Sequence, residues 1–399
     1  MPTIYLDHAA STPMRPEAIA AMQPYFAAIA ANPSGGHRAS QAAKTALEES
    51  RESVAECLAA RPNEIVFTAG GSEADNLAVK GAAWAARDRG PGRGAGHGAG
   101  RGHGPGRVVT TGIEHKAVLG AAHRLAREGF DVVEVPATPE GCVDLGRLSG
   151  ALDETVVVVS VMLVNNETGT VQPLDEVATL VHELAPHAVL HTDAVQAPQW
   201  LDLRTAARGA DLVAISGHKF GGPKGVGTLV VREGVELVPL IEGGGHEWGL
   251  RAGTQNVAGI VAFSTALRIV DERRVDERRS IARRRDRLEA GLLAALPGAV
   301  VTGDTSRRVE GLLHVSFPGV EAETLLVALD QAGVCAASGS ACSSGAVDPS
   351  HVLLSMGMPR DMALTAVRFS LGYASTDSDI DTAVPIIARC VEQLRVAAA

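Results

Sequence analysis

Lys219 closes the run Ser216-Gly217-His218-Lys219, which follows the apolar segment DLVAIS and precedes the Gly-rich FGGPKGVG. A lysine fixed at a strand end can condense with an aldehyde cofactor, and a serine and a histidine beside it can donate hydrogen bonds to that cofactor's phosphate. The plainer reading of Lys219 is a surface lysine in a Gly-rich turn. Asp193 ends a second apolar segment, AVLHTD. A buried carboxylate there would keep a pyridine nitrogen protonated so that the ring can absorb electrons, and Gln196 in the following turn can reach a ring hydroxyl. Asp193 reads equally as the N-cap of a helix before AVQAP.

Gly70-Gly71-Ser72 follows the segment EIVFT and opens the helical pattern SEADNLAVKGAAW. Free amides at a helix start with a hydroxyl beside them bind phosphate without a basic residue. Ser72 also resembles the first residue of a capping box, with Asp75 in place of Glu or Gln. His115, in TGIEHKAVL, stands at the start of another helix that follows a strand. It can stack on a flat ring or simply cap its helix. Cys342 lies in SGSACSSGAVDPS, among small residues that offer nothing to bury a thiol, whereas Cys57, Cys335 and Cys390 sit among apolar residues and Cys142 in a turn. A free thiol has a pKa of about 8.5, so a reactive Cys342 needs activation from the folded site or the substrate.

These residues follow a pattern of elements. From Glu64 to about Val231, the apolar runs EIVFT, RVVTT, VVVVSVM, AVLHTD, DLVAIS and GTLVV alternate with helical stretches. Near-continuous apolar strands separated by helices predict an α/β fold with a mainly parallel sheet covered on both faces, and ligands in such sheets bind beyond the carboxyl ends of the strands. After GGGHEWGLRAGT a long helix is expected over roughly Gln255 to Leu296. A smaller α+β unit follows, with strands in LLHVSF and AVRFSL. The segment Arg89 to Arg107, RGPGRGAGHGAGRGHGPGR, has almost nothing to bury and reads as a solvated surface insertion.

With 399 residues, 46% of them hydrophobic and 21% charged, the chain has material for two packed units. A formal net charge of -10 argues against direct binding to nucleic acid or to an anionic membrane surface. No apolar run reaches bilayer length and no segment reads as a cleaved leader, so the expected compartment is the cytoplasm. Five cysteines at wide spacings form neither a disulfide framework nor a structural zinc motif, and no metal is expected.

The order of motifs carries a resemblance. YLDHAASTP, NPSGGHR, FTAGGSEADNLAVKG, EHKAVL, VNNETGTVQP, HTDAVQ, SGHKFGGPKGVG, GGGHEWGLRAGT, SGSACSS, PSHVLLSMG and VRFSLG resemble, in that sequence and almost end to end, the cysteine desulfurases of the iron-sulfur-assembly and nitrogen-fixation type. These form a branch of the class V aminotransferases with the type I pyridoxal-phosphate fold. The resemblance implies a seven-stranded sheet in a large domain, residues 14–260, and a small domain built from 1–13 and 261–399. It implies pyridoxal 5'-phosphate on Lys219, Asp193 at the pyridinium, Gln196 at the ring oxygen and His115 stacked on the ring. Gly71, Ser72, Ser216 and His218 would hold the phosphate, with Thr254 added across a homodimer interface. Arg368, Asn166 and Asn32 would bind the substrate carboxylate, which suits an arginine fork. L-cysteine would become L-alanine, and Cys342 would carry the sulfur as a persulfide to an acceptor: an iron-sulfur scaffold, a tRNA-thiolation protein or a DNA-sulfur-modification partner.

The chain departs from that pattern at Gly71-Ser72, where Ala-Thr is common, at Ala252, where Ser is usual, and in the Arg89 to Arg107 insertion. None removes a reacting group. The alternative within the fold is a selenocysteine lyase or another class V transferase, against which the long Gly/Ser loop around Cys342 counts.

Overall fold

The computed structural model describes residues 3–89, 105–339 and 348–398. Cys342 and all but the ends of the Gly/Arg/His-rich insertion lie outside the described residues. In chain order the strands are β1 Ile4–Tyr5, β2 Ile65–Thr68, β3 Arg107–Thr111, β4 Asp131–Val135, β5 Val156–Ser160, β6 Val189–Asp193, β7 Leu212–Ser216, β8 Gly227–Val231, β9 Val300–Val301, β10 Leu312–Ser316, β11 Val334–Cys335 and β12 Ala366–Ser370.

Seven of these make one sheet in the order β2-β8-β7-β6-β5-β3-β4. The pairs from β4 through β7 are all parallel, and only β8 runs against its neighbours. This is the mainly parallel α/β sheet that the apolar runs predict. β7 and β8 are buried throughout, because a strand covered by helices on both faces gains from an apolar side chain at every position. β4 is the strand that the apolar runs do not reveal: Asp131 and Glu134 face solvent at the sheet edge and break the pattern.

The helix Val257–Ala295 matches the expected long helix and is capped by Asn256, whose side chain accepts from the Gly259 amide. It is buried almost all round through Val270. Beyond that point it keeps only Ile281, Arg285, Leu288 and Leu292 inside, as befits an element that leaves one core and lies along another. At 1.5 Å per residue it runs for roughly 60 Å. Beyond it, β10 pairs antiparallel with both β9 and β12, and the helix Asp377–Ala398 packs on this smaller unit.

The N-terminal segment forms a third, two-stranded sheet and then crosses from the smaller unit to the large sheet. β1 pairs parallel with β11, and Asp7 bridges to Ser370 at the end of β12. The chain then reaches the large sheet, where the Thr12 amide donates to His218 O at 2.8 Å and the Arg15 amide to Gly221 O at 2.8 Å. Arg15 anchors this crossing. Its guanidinium is 1% exposed, forks onto Glu277 at 2.9 and 2.7 Å and lies 4.2 Å from the Tyr373 ring centre. A buried charge is costly to desolvate, and removing its partner would leave that cost uncompensated.

Candidate functional site

Successive strands of the large sheet each deliver a side chain to the same end. Gly71 and Ser72 follow β2, His115 follows β3, Asn166 follows β5, Asp193 ends β6 with Gln196 just after it, and Ser216 ends β7 with His218 and Lys219 in the short 3-10 turn beyond. All of them line one cavity of about 320 Å³, and β12 adds Arg368 from the smaller sheet. The cavity sits where the strand direction says a ligand should bind.

The Lys219 ammonium donates to Ala9 O at 2.7 Å and Ala10 O at 3.0 Å, while the lysine's own carbonyl accepts from Gln199 Nε2 at 2.6 Å. Gln196 Nε2 donates to the same Ala9 carbonyl at 2.9 Å. The crossing segment therefore fixes both side chains. No regular helix follows Asp193; one carboxylate oxygen takes the Val195 amide at 2.8 Å in a tight turn and the carboxyl remains 5% exposed. Burial pushes the Asp193 carboxyl up, against the opposing pull of His115, the Val195 amide and Lys219.

His115 does cap its helix: its Nδ1 accepts from the Ala117 amide at 3.1 Å. That bond leaves the proton on Nε2 in the neutral ring. Burial holds the imidazole below its ordinary value, with Asp193 pulling the other way and Lys219 adding to the depression. The cap reading is thus met, and the ring also lines the cavity.

Gly71 stands in close approach to Val195. A Cβ there would stand 2.7 Å from Val195 Cγ2. Together with Ser72, Ser216, His218 and Lys224, it lines a second, more open recess at the start of the 19-residue helix Gly71–Arg89. Hydroxyls, helix-start amides and a histidine that burial lowers to about 4 offer donors there beside the Lys224 ammonium. The capping box suggested for Ser72 is not formed; Glu73 instead accepts the Ala69 amide at 2.9 Å.

Arg368 is 5% exposed, donates from Nη1 to Asn166 O and from Nη2 to Asp7 Oδ1, both at 2.8 Å, and its buried Nε has no partner. Asn32 and Thr254 stand apart. Both are exposed and neither lines the cavity of this chain. Cys342 lies outside the described residues, but Ser338 and Gly339, just before it, form part of the cavity wall. A Cβ on Gly339 would fall 1.9 Å from Glu167 Oε2, so only glycine lets the chain pass.

Several lining residues escaped the reading of the sequence. Asp75 is 1% exposed and neither carboxylate oxygen has a hydrogen bond; burial, Asp193 and Glu114 raise it far above the usual carboxylate range. It sits one turn beyond Ser72 and so shares that residue's helix face, the one signal that could have found it. Glu167, also buried and raised chiefly by burial, accepts from Ser350 Oγ at 2.5 Å. His351 Nε2 is 2.9 Å from Glu114 O, and Lys116 lies beside it on the wall. Ligand atoms of Asp75, His115 and Asp193 all lie within 4.8 Å of one another, in the space that a flat cofactor would take.

The donor set fits pyridoxal phosphate. A lysine stands for its aldehyde, a buried carboxylate for the ring nitrogen, an amide donor for the ring oxygen, an imidazole for the ring face and a helix start with hydroxyls and Lys224 for the phosphate. Asp75, buried beside Asp193, has its Oδ1 3.5 Å from His191 Nε2.

Comparison with known proteins bears on the family and the fold. A family profile described as Aminotransferase class-V matches residues 4–383. A protein named cysteine desulfurase IscS from Clostridium botulinum is 40% identical over 394 residues, covering 98% of this chain and 95% of the relative. An IscS-like cysteine desulfurase from Mycobacterium tuberculosis is 41% identical over 398 residues, covering 99% and 98%. A solved structure described as a NifS-like protein superposes with a TM-score of 0.88 at 32% identity, covering 98% of this chain and 100% of the other.

Proposed function

The chain belongs to the class-V aminotransferase family, and from that premise we infer that it is a pyridoxal-phosphate-dependent cysteine desulfurase. It converts L-cysteine to L-alanine and moves the sulfur, by way of Cys342, to an acceptor protein. The observation that carries this reading is the meeting of Lys219, Asp193 and Arg368 in one cavity whose wall runs into the cysteine loop at Ser338 and Gly339.

When bound, pyridoxal phosphate supplies the aldehyde that condenses with amines and the ring that withdraws electrons from the substrate carbon. The chain's own residues do the rest. Asp193, buried at the end of β6, would pair with the ring nitrogen and keep its proton in place. His115 would pack on the ring face as a neutral group. Lys219, once displaced by the substrate amine, is the base that moves a proton at the substrate α-carbon. Arg368, beside Asn166 and with Asn32, grips the substrate carboxylate, and Gly71, Ser72, Ser216 and His218 hold the phosphate. Thr254, exposed in this chain, reaches the phosphate of a second copy in a homodimer.

The Cys342 thiolate attacks the sulfur of cysteine. A sulfur-sulfur bond forms, the carbon-sulfur bond breaks, and its electron pair goes to the substrate carbon, which takes a proton to become the methyl group of alanine. The persulfide then passes to an iron-sulfur scaffold, a tRNA-thiolation protein or another sulfur acceptor in the cytoplasm. We divide the chain into a large domain, 14–260, that holds the cofactor, and a small one, 1–13 with 261–399, that carries the sulfur.

Turnover of cysteine in the presence of a thiol reductant tests the reaction. Alanine and sulfide in equal amounts, with no amino group transferred to a keto acid, is the expected result. A product keto acid with an aminated acceptor would make the protein a plain aminotransferase, and activity confined to selenocysteine would make it a lyase.

A further inference from the structure

Arg368 belongs to the middle of β12, opposite His314 of β10, and its stem is shut into the small sheet. A guanidinium on a long stem can still turn about its last bonds, and a carboxylate is recognised by a fork only when the plane is right. Two acceptors fix that plane. Asn166 O takes Nη1 and Asp7 Oδ1 takes Nη2, each at 2.8 Å, the one from the loop after β5 and the other from the segment after β1. Each Nη makes one of these bonds and carries a second N–H, while the Nε is buried without a partner.

Asp7 arrives from far away in sequence, on the segment that leaves β1 and bridges to Ser370. Two residues further on, the same segment presents the Ala9 and Ala10 carbonyls to Lys219. One short stretch of chain thus sets both the group that meets a substrate carboxylate and the group that meets its amine. We propose that Asp7 is a positioning residue for Arg368, holding the guanidinium in the plane that receives the carboxylate of cysteine. This rests on the function inferred above.

Asp7 has a second, opposing effect: its charge partly neutralises Arg368 and so weakens the pull on an incoming carboxylate. Orientation dominates. The Asp7 side chain is 21% exposed, so solvent screens its charge, whereas its hydrogen bond to a guanidinium that is 6% exposed is directional. Removing Asp7 therefore weakens substrate binding.

The test uses the cofactor-loaded full chain and its Asp7→Ala and Asp7→Asn variants. Dissociation constants for cysteine and for cysteamine, which lacks the carboxylate, are read from the change in visible absorbance, beside KM and kcat for cysteine. The expected result is a rise in KM and in the cysteine dissociation constant of about tenfold or more in Asp7→Ala, with kcat within about threefold. Asp7→Asn, which keeps an acceptor oxygen and the side-chain shape, shows a smaller rise, and cysteamine binds all three proteins alike. Unchanged or tighter cysteine binding in the variants would overturn the proposal, and so would an equal loss for cysteine and cysteamine, the mark of a merely structural residue. Wild-type protein that does not turn over cysteine would instead remove the underlying function, a separate failure visible before any variant is made.

Discussion

At the scale of single residues, the site is a set of charges placed against burial. Asp193 is taken out of water yet must stay ionised when a protonated ring nitrogen lies beside it; His115, Lys219 and the Val195 amide all favour that form. Asp75 and Glu114 are buried near it with opposite consequences, since crowding three carboxylates favours a proton on two of them. Asp193→Asn keeps the shape of the side chain and loses the charge. The variant is expected to bind cofactor but to lose roughly 10²-fold or more in kcat for cysteine, with its visible absorbance shifted. An Asp193→Asn enzyme with wild-type kcat would move the ring-nitrogen role to another carboxylate. Lys219→Ala is expected to abolish the visible absorbance of the lysine-bound cofactor.

At the scale of elements, the functional groups of the large sheet end or follow strands that finish at the same edge, Arg368 coming instead from within β12, and the helix Gly71–Arg89 must start hard against the turn after β6. That contact explains Gly71. Gly71→Ala forces Val195 or the helix start to shift, a strain of about 1–3 kcal/mol, and is expected to weaken cofactor binding about tenfold while leaving the fold intact. Titration of cofactor-free protein with pyridoxal phosphate measures it. The groups that follow strands were legible in the sequence for the same reason: an apolar run followed by Gly, Ser, His or Lys announces both strand and site. β4 was not, because edge residues Asp131 and Glu134 hide it. Nor were β1, β9 and β11, two residues each, whose pairing depends on chain segments far apart. Asp75 left only its helix face, one turn beyond Ser72, as a signal, and His351 and the Asp7 contact to Arg368 depend on segments far apart in the chain, which leave no local pattern.

At the scale of the whole molecule, the crossing segment and the helix Val257–Ala295 join two sheets into one body, with the cavity where they meet. Several histidines are locked in this joint core without charge. Burial lowers His191 and His314 from 6.5 to about 3. As pH falls below about 6.5 the unfolded chain takes up a proton on each and the folded chain does not, so the stability they allow is present above that pH and drains away toward about 3. His314→Asn is therefore expected to narrow the difference in unfolding temperature between about pH 7.5 and about pH 5, whatever it does to the temperature itself; an unchanged difference would mean that His314 is charged in the fold. The central claim concerns the passage of sulfur from this joint to Cys342. It is tested most directly by mass analysis of the Cys342 peptide after cofactor-loaded enzyme meets cysteine without reductant, in wild type and in Cys342→Ser. The account predicts one added sulfur on Cys342 with alanine released in the wild type, and a Cys342→Ser protein that keeps its cofactor absorbance but carries no persulfide. A Cys342→Ser enzyme that still passes sulfur to an acceptor would contradict it.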